Sequence, residues 1–114
     1  MEIEIKGKLR ELRFGIGFIR KLDEAYQLEM SGIRFGAGLM MANVQLQQYN
    51  PAALSEVIRC ASNGNPSLRD VDKAVEDYAE ENDGLGSLFE EVIEQMGKSP
   101  VVKDTTERMK ELGN

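Results

Sequence analysis

The residues with the greatest chemical capacity in this chain are carboxylates, because it contains no histidine. That absence removes the commonest general base, the usual Cys/His zinc sites and the Glu-x-x-His unit of helical di-iron sites. Glu90, Glu91 and Glu94 form an acidic cluster that invites such chemistry. Glu90 and Glu94 are i,i+4 neighbours on the polar side of a segment whose other side is Leu88, Val92 and Ile93, as expected of a solvated helix face. Gly97-Lys98-Ser99 has the end of a phosphate loop, but the glycine required five positions before Gly97 is replaced by Val92. Gly15-Ile16-Gly17 and Gly36-Ala37-Gly38 fall short of a dinucleotide fingerprint, since Arg20 and Met41 stand where the third glycine belongs. Asp70-Val71-Asp72 would open a calcium loop only with a glycine at the sixth position, which is Val75. Cys60 lies among Val57, Ile58 and Ala61 and reads as a small buried apolar residue, and one cysteine cannot form an internal disulfide. The sequence therefore predicts no catalytic, metal-binding or cofactor-binding residue.

Charge narrows the partners. The formal net charge is -6. Residues 1–35 carry seven bases and six acids, residues 36–114 seven bases and fourteen acids, and between 70 and 94 ten acids face Lys73 alone. Such a surface repels phosphates and argues against nucleic acid as the ligand. No stretch approaches the roughly 18 apolar residues of a membrane span, and the acidic start lacks the features of a signal peptide, so the expectation is a soluble cytosolic protein.

The elements that must position these residues are mostly helical. Glu2-Ile3-Glu4-Ile5-Lys6 alternates strictly and Gly7 supplies a turn, predicting a β-hairpin whose second strand runs from Leu9 to Phe14. Arg10 interrupts the apolar face of that strand, which calls for a bulge or an edge position. From Gly15 the period changes. Phe18, Ile19, Leu22, Ala25 and Tyr26 share one helical face, in a helix ending before Ser31-Gly32, and Ile33 to Phe35 could form a short third strand. Asn50-Pro51 caps a helix carrying Leu54, Val57, Ile58 and Ala61 that stops at Asn63-Gly64-Asn65. Ser67 and Asp70 form a short-armed capping box before Leu68, Val71, Val75 and Tyr78. A further helix carries Leu85, Leu88, Phe89, Val92, Ile93 and Met96 up to Gly97. The fold class expected is α+β, mostly helical: an N-terminal hairpin followed by about five helices around one core, with a single domain over 1–97 and a weakly amphipathic tail over 98–114.

Two segments exceed what one core needs. Between Leu39 and Tyr49, Leu39, Ala42, Leu46 and Tyr49 share one face while Met40, Met41 and Val44 form a second. Either this helix is central and buried on both sides, or the second face is a client or oligomer interface. In the tail, Val102, Thr106, Met109 and Leu112 recur at helical spacing among charges, and after Pro100 they have little room to bury locally. The candidate protein-interaction residues are accordingly Met40, Met41, Val44, Val102, Met109 and Leu112.

The order of motifs resembles a known family. It runs from Glu2-Ile3-Glu4-Ile5-Lys6-Gly7-Lys8 through Phe14-Gly15-Ile16-Gly17-Phe18-Ile19-Arg20-Lys21-Leu22-Asp23 and Gly32-Ile33-Arg34-Phe35-Gly36-Ala37-Gly38-Leu39. It continues with Asn50-Pro51-Ala52-Ala53-Leu54-Ser55-Glu56-Val57-Ile58, Pro66-Ser67-Leu68-Arg69-Asp70-Val71-Asp72, Leu88-Phe89-Glu90-Glu91-Val92-Ile93 and Lys98-Ser99-Pro100. This pattern is similar to the tail assembly chaperones of long-tailed bacteriophages and prophages of Gram-positive bacteria. The resemblance implies a non-catalytic protein of the host bacterial cytoplasm that binds the tape measure protein, keeps its apolar segments from aggregating, recruits tail-tube subunits and is absent from the mature virion; whether it is a homo-oligomer or a monomer the sequence leaves open. Many such proteins are also made in a longer, frameshifted form. The alternative is an unrelated cytosolic adaptor domain.

Overall fold

The computed structural model describes residues 1–30, 33–36 and 38–112, with side chains described outside 27–37, Met109 and Leu112. Strands β1 (Glu2–Ile5) and β2 (Lys8–Glu11) form the expected antiparallel hairpin, pairing Glu2 with Glu11 and Ile5 with Lys8. Lys6 and Gly7, at φ 54° and 74°, make the two-residue turn whose positive φ values match the twist of the flanking strands. The register is continuous through Leu9 and Arg10, so no bulge is present. Arg10 occupies its inward position because its Nη1 donates to the Asn63 carbonyl at 3.3 Å, a bond a straight apolar side chain could not make. Beyond β2 the chain bridges to the end of a helix, with Leu12 opposite Ser62 and the Arg13 amide donating to the Ala61 carbonyl at 2.8 Å.

Six helices follow: α1 (Ile16–Ala25), α2 (Gly38–Gln47), α3 (Pro51–Ala61), α4 (Leu68–Asn82), α5 (Gly86–Lys98) and α6 (Pro100–Leu112). Helix α1 is shorter than its periodicity predicts. It ends at Ala25, and Gln27–Met30 is instead strand β3, paired antiparallel with β4 (Ile33–Gly36). Gln27-Leu28-Glu29-Met30 alternates polar and apolar, a period-two signal that outweighs helical continuation. The two hairpins are separate two-stranded sheets.

Local signals account for the helix ends. The Asn50 side chain accepts from the amides of Ala52 and Ala53 at 3.0 and 3.2 Å, and Pro51 follows where no intrahelical donor is needed. Ser67 accepts from the Asp70 amide at 3.1 Å, but the Asp70 carboxylate turns to Lys6 at 3.9 Å rather than back to the cap. Asp83, at φ 53°, closes α4 in the left-handed conformation. Helix α3 is the central element, packed by α1, α2 and α4, and it buries Leu54, Val57 and Ile58 completely. The core also takes Ile5, Leu22, Leu46, Val71, Leu88, Val92 and Met96, so every helix from α1 to α5 contributes.

Helix α6 corrects the sequence expectation at one position. Val102 is 0% exposed and belongs to the core, and the Ser99 hydroxyl ahead of it donates to the Phe14 carbonyl at 2.5 Å. The turn at Ser99-Pro100 folds the chain back onto α5, supplying the room for Val102 that linear spacing could not reveal.

Candidate functional site

Helix α2 is where the chain departs from the rule of one apolar face per surface helix. Its inner side, Gly38, Leu39, Ala42 and Leu46, is buried. Its approach to α1 is so close that a β-carbon added to Gly38 would lie 2.3 Å from the Leu22 carbonyl carbon and 2.6 Å from the Asp23 nitrogen. The Asp23 carboxylate accepts from the Gly38 amide at 3.1 Å, satisfying one of the free donors at the helix start. Glycine and long-range cap together fix the roll of α2 and hence what its outer side presents.

That outer side is apolar and uncharged. Met40 is 54% exposed and Val44 51% exposed, one helical turn apart, while Met41 beside them is half-buried. Gln47 and Gln48 complete the solvent side, and no Asp, Glu, Lys or Arg occurs from Gly38 to Gln48. In a chain that is 30% charged, an eleven-residue span without one charge, lying on the surface, is the compositional mark of an interface centre rather than of a solvated face.

The face ends in an aromatic latch. Tyr49 follows α2 with φ 55°, so it does not continue the inner side with Leu39, Ala42 and Leu46 as a helical wheel predicts. Its ring stacks on Phe89 of α5 with centroids 4.6 Å apart, its hydroxyl donates to Glu90 Oε1 at 3.4 Å, and it remains 44% exposed. Packing on its neighbours and, second, the Glu90 carboxylate hold the phenol above its ordinary pKa.

The candidate interaction residues therefore separate. Met40, Met41 and Val44 form one patch. Val102 is inside the protein and reaches no partner. The side chains of Met109 and Leu112, on the last turns of α6, lie outside the described residues. Tyr49 was not distinguishable as a surface residue by spacing; its place before the Asn50-Pro51 cap, where the helix must stop, is the signal that could have marked it.

The residues considered for chemistry are engaged otherwise. Glu94 pairs with Lys98 at 2.9 Å, and Asp72 accepts from the Ser55 hydroxyl. Cys60 is 2% exposed, and burial pushes its thiol up to about 11, opposed by Arg59 and aided by Glu56. Among the described residues no group of His, Cys, Asp and Glu is arranged to hold a metal ion, and no helix is long and apolar enough to cross a membrane. A groove of about 350 Å³ lies between β1 and α4, and its lining mixes Lys6 and Lys73 with Glu4, Asp70, Asp77 and Glu81.

A family model described as phage tail assembly chaperone protein, TAC, matches residues 2–111. The chain belongs to the phage tail assembly chaperone family. No curated protein and no solved structure matches it. The match spans the hairpins and α1 to α5 whole and reaches into the last turn of α6, so the surface of α2 is part of the family domain and not an appendage to it. Family membership gives that surface a context, since an assembly chaperone acts through contacts with other proteins of the tail.

Proposed function

We propose that this family member binds the tape measure protein in the cytoplasm of the host bacterium, keeps its apolar segments soluble, helps to recruit tail-tube subunits and leaves before the virion is complete. It does so without catalysis or a cofactor. The observation that carries the reading is the uncharged outer face of α2, where Met40 and Val44 are more than half exposed on a helix whose inner side is fully packed. Methionine suits such a role because an unbranched thioether adapts to imperfectly matched surfaces. The last turns of α6, with Met109 and Leu112, are proposed as a second contact with client or neighbouring subunit.

Co-expression with the tape measure protein encoded in the same genome tests this. The expected result is a soluble tape measure protein that co-purifies with the chaperone, and an insoluble one with no complex would replace this reading by that of an adaptor with another client. The α6 contact is tested by ending the chain after Thr106, which keeps Val102 in the core. Unchanged client binding by that truncation removes α6 from the interface.

A further inference from the structure

We propose that the segment received by the α2 face is an amphipathic helix whose apolar stripe is flanked by Lys and Arg side chains; this rests on the client-binding reading above and specifies the chemistry of the client. Three observations lead to it. First, the centre of the face offers Met40 and Val44 and no charge, so an ionic side chain placed there would be desolvated without a partner. The middle of the client must be apolar.

Second, the backbone amides and carbonyls within α2 are hydrogen-bonded along the helix, so an extended client would find no strand edge to pair with. Met40 and Val44 stand at i and i+4 and form a ridge, the surface that packs between the side-chain rows of another helix.

Third, the border is acidic. Glu90 is exposed and held against the end of the face by the Tyr49 hydroxyl, whereas Glu94, one turn further along α5, is already paired with Lys98 at 2.9 Å, and residues 36–114 carry a net charge of -7. Basic flanks on the client complement that border. A second copy of this chain does not: a two-fold contact through the face would set one Glu90 border against another. Helix α6 of a second copy brings Lys103, Arg108 and Lys110 but equally Asp104, Glu107 and Glu111, and so has no net charge to offer.

Two labelled helical peptides of about 18 residues with the same leucine stripe, one flanked by lysines and one by glutamates, are titrated into the full chain and followed by fluorescence anisotropy. The lysine peptide is expected to bind about tenfold tighter near 50 mM salt, with the gap narrowing about threefold near 500 mM. Glu90→Gln should shrink the gap in the same way, and Met40→Gln/Val44→Gln should weaken the lysine peptide about tenfold. Equal binding of the two peptides to the unaltered chain overturns the proposal, as does a chain dimer dispersed by Met40→Gln/Val44→Gln. The outcome is separable from the function itself. Tape measure rescue with equal peptide binding leaves the function standing and removes the charge requirement, whereas preference for the lysine peptide without rescue supports this client chemistry and removes the tape measure protein.

Discussion

Helices α2 and α3 follow one another through Gln48–Asn50, both are rich in apolar residues and both lack an acidic first turn, yet they do opposite things. Helix α3 buries Ala53, Leu54, Ser55, Val57, Ile58, Cys60 and Ala61 and exposes only Pro51 and Ala52 at its start. Helix α2 buries four residues on one side and leaves Met40 and Val44 in solvent on the other. The difference lies in their neighbours. Each contacts three other helices, α1, α2 and α4 for α3 and α1, α3 and α5 for α2, but among the described residues nothing covers the side of α2 that carries Met40 and Val44. Neither apolar content nor the number of neighbours thus separates a central helix from an interface helix; the sides on which those neighbours lie do.

The comparison can be broken most severely in α3. Ile58→Ala or Leu54→Ala, each at a completely buried position, should lower unfolding free energy by about 2–5 kcal/mol in urea titrations. A loss under about 1 kcal/mol would remove α3 from the centre.

Cys60 provides a pH test of the same burial. Its folded pKa of about 11 lies above the ordinary thiol value of 9.0, so the native state retains a proton that the unfolded chain releases. Stability is therefore undiminished below about pH 8 and falls as pH rises towards 11, by at most about 2–3 kcal/mol in all. Cys60→Ala should flatten this part of the profile, and an unchanged slope would place the alkaline loss elsewhere.

Gly38→Ala sharpens the contrast from the α2 side. The added β-carbon meets main-chain atoms of Leu22 and Asp23, which cannot swing away, so a loss of about 1–3 kcal/mol is expected despite the better helix propensity of alanine. A stabilised variant would show that α2 is not pinned to α1. Asn50→Ala, which removes the cap between the two helices, should cost about 1 kcal/mol, measured as a shift in denaturation midpoint. Smallest of all, Met40→Gln/Val44→Gln should change stability by no more than about 0.5 kcal/mol, since both side chains are already half in water.

Much of this architecture is legible in the sequence because it is encoded locally. The Lys6-Gly7 turn, the Asn50-Pro51 cap and the Asp83-Gly84 stop are chosen by residues adjacent to the conformation they impose. The positions that sequence misplaces are set from a distance. Arg10 sits inward because Asn63 receives it, Val102 is buried because a turn returns α6 to α5, and Tyr49 leaves its helical row for Phe89. Strand β3 is a different case, since Tyr26 to Met30 satisfies both periods and the pairing with β4 decides. The two-sided character of α2 is visible in the sequence, but which side faces the core becomes clear only from Gly38, whose missing side chain admits the backbone of α1.

The account stands most directly on the role of the α2 outer face, and the decisive measurement is co-purification of the tape measure protein with the Met40→Gln/Val44→Gln chain. The predicted result is a variant that unfolds with the same urea midpoint as the unaltered chain but no longer retains the tape measure protein in solution. A variant that loses its own fold would return Met40 and Val44 to the core, and a stable variant that still carries its client would move the binding surface away from α2.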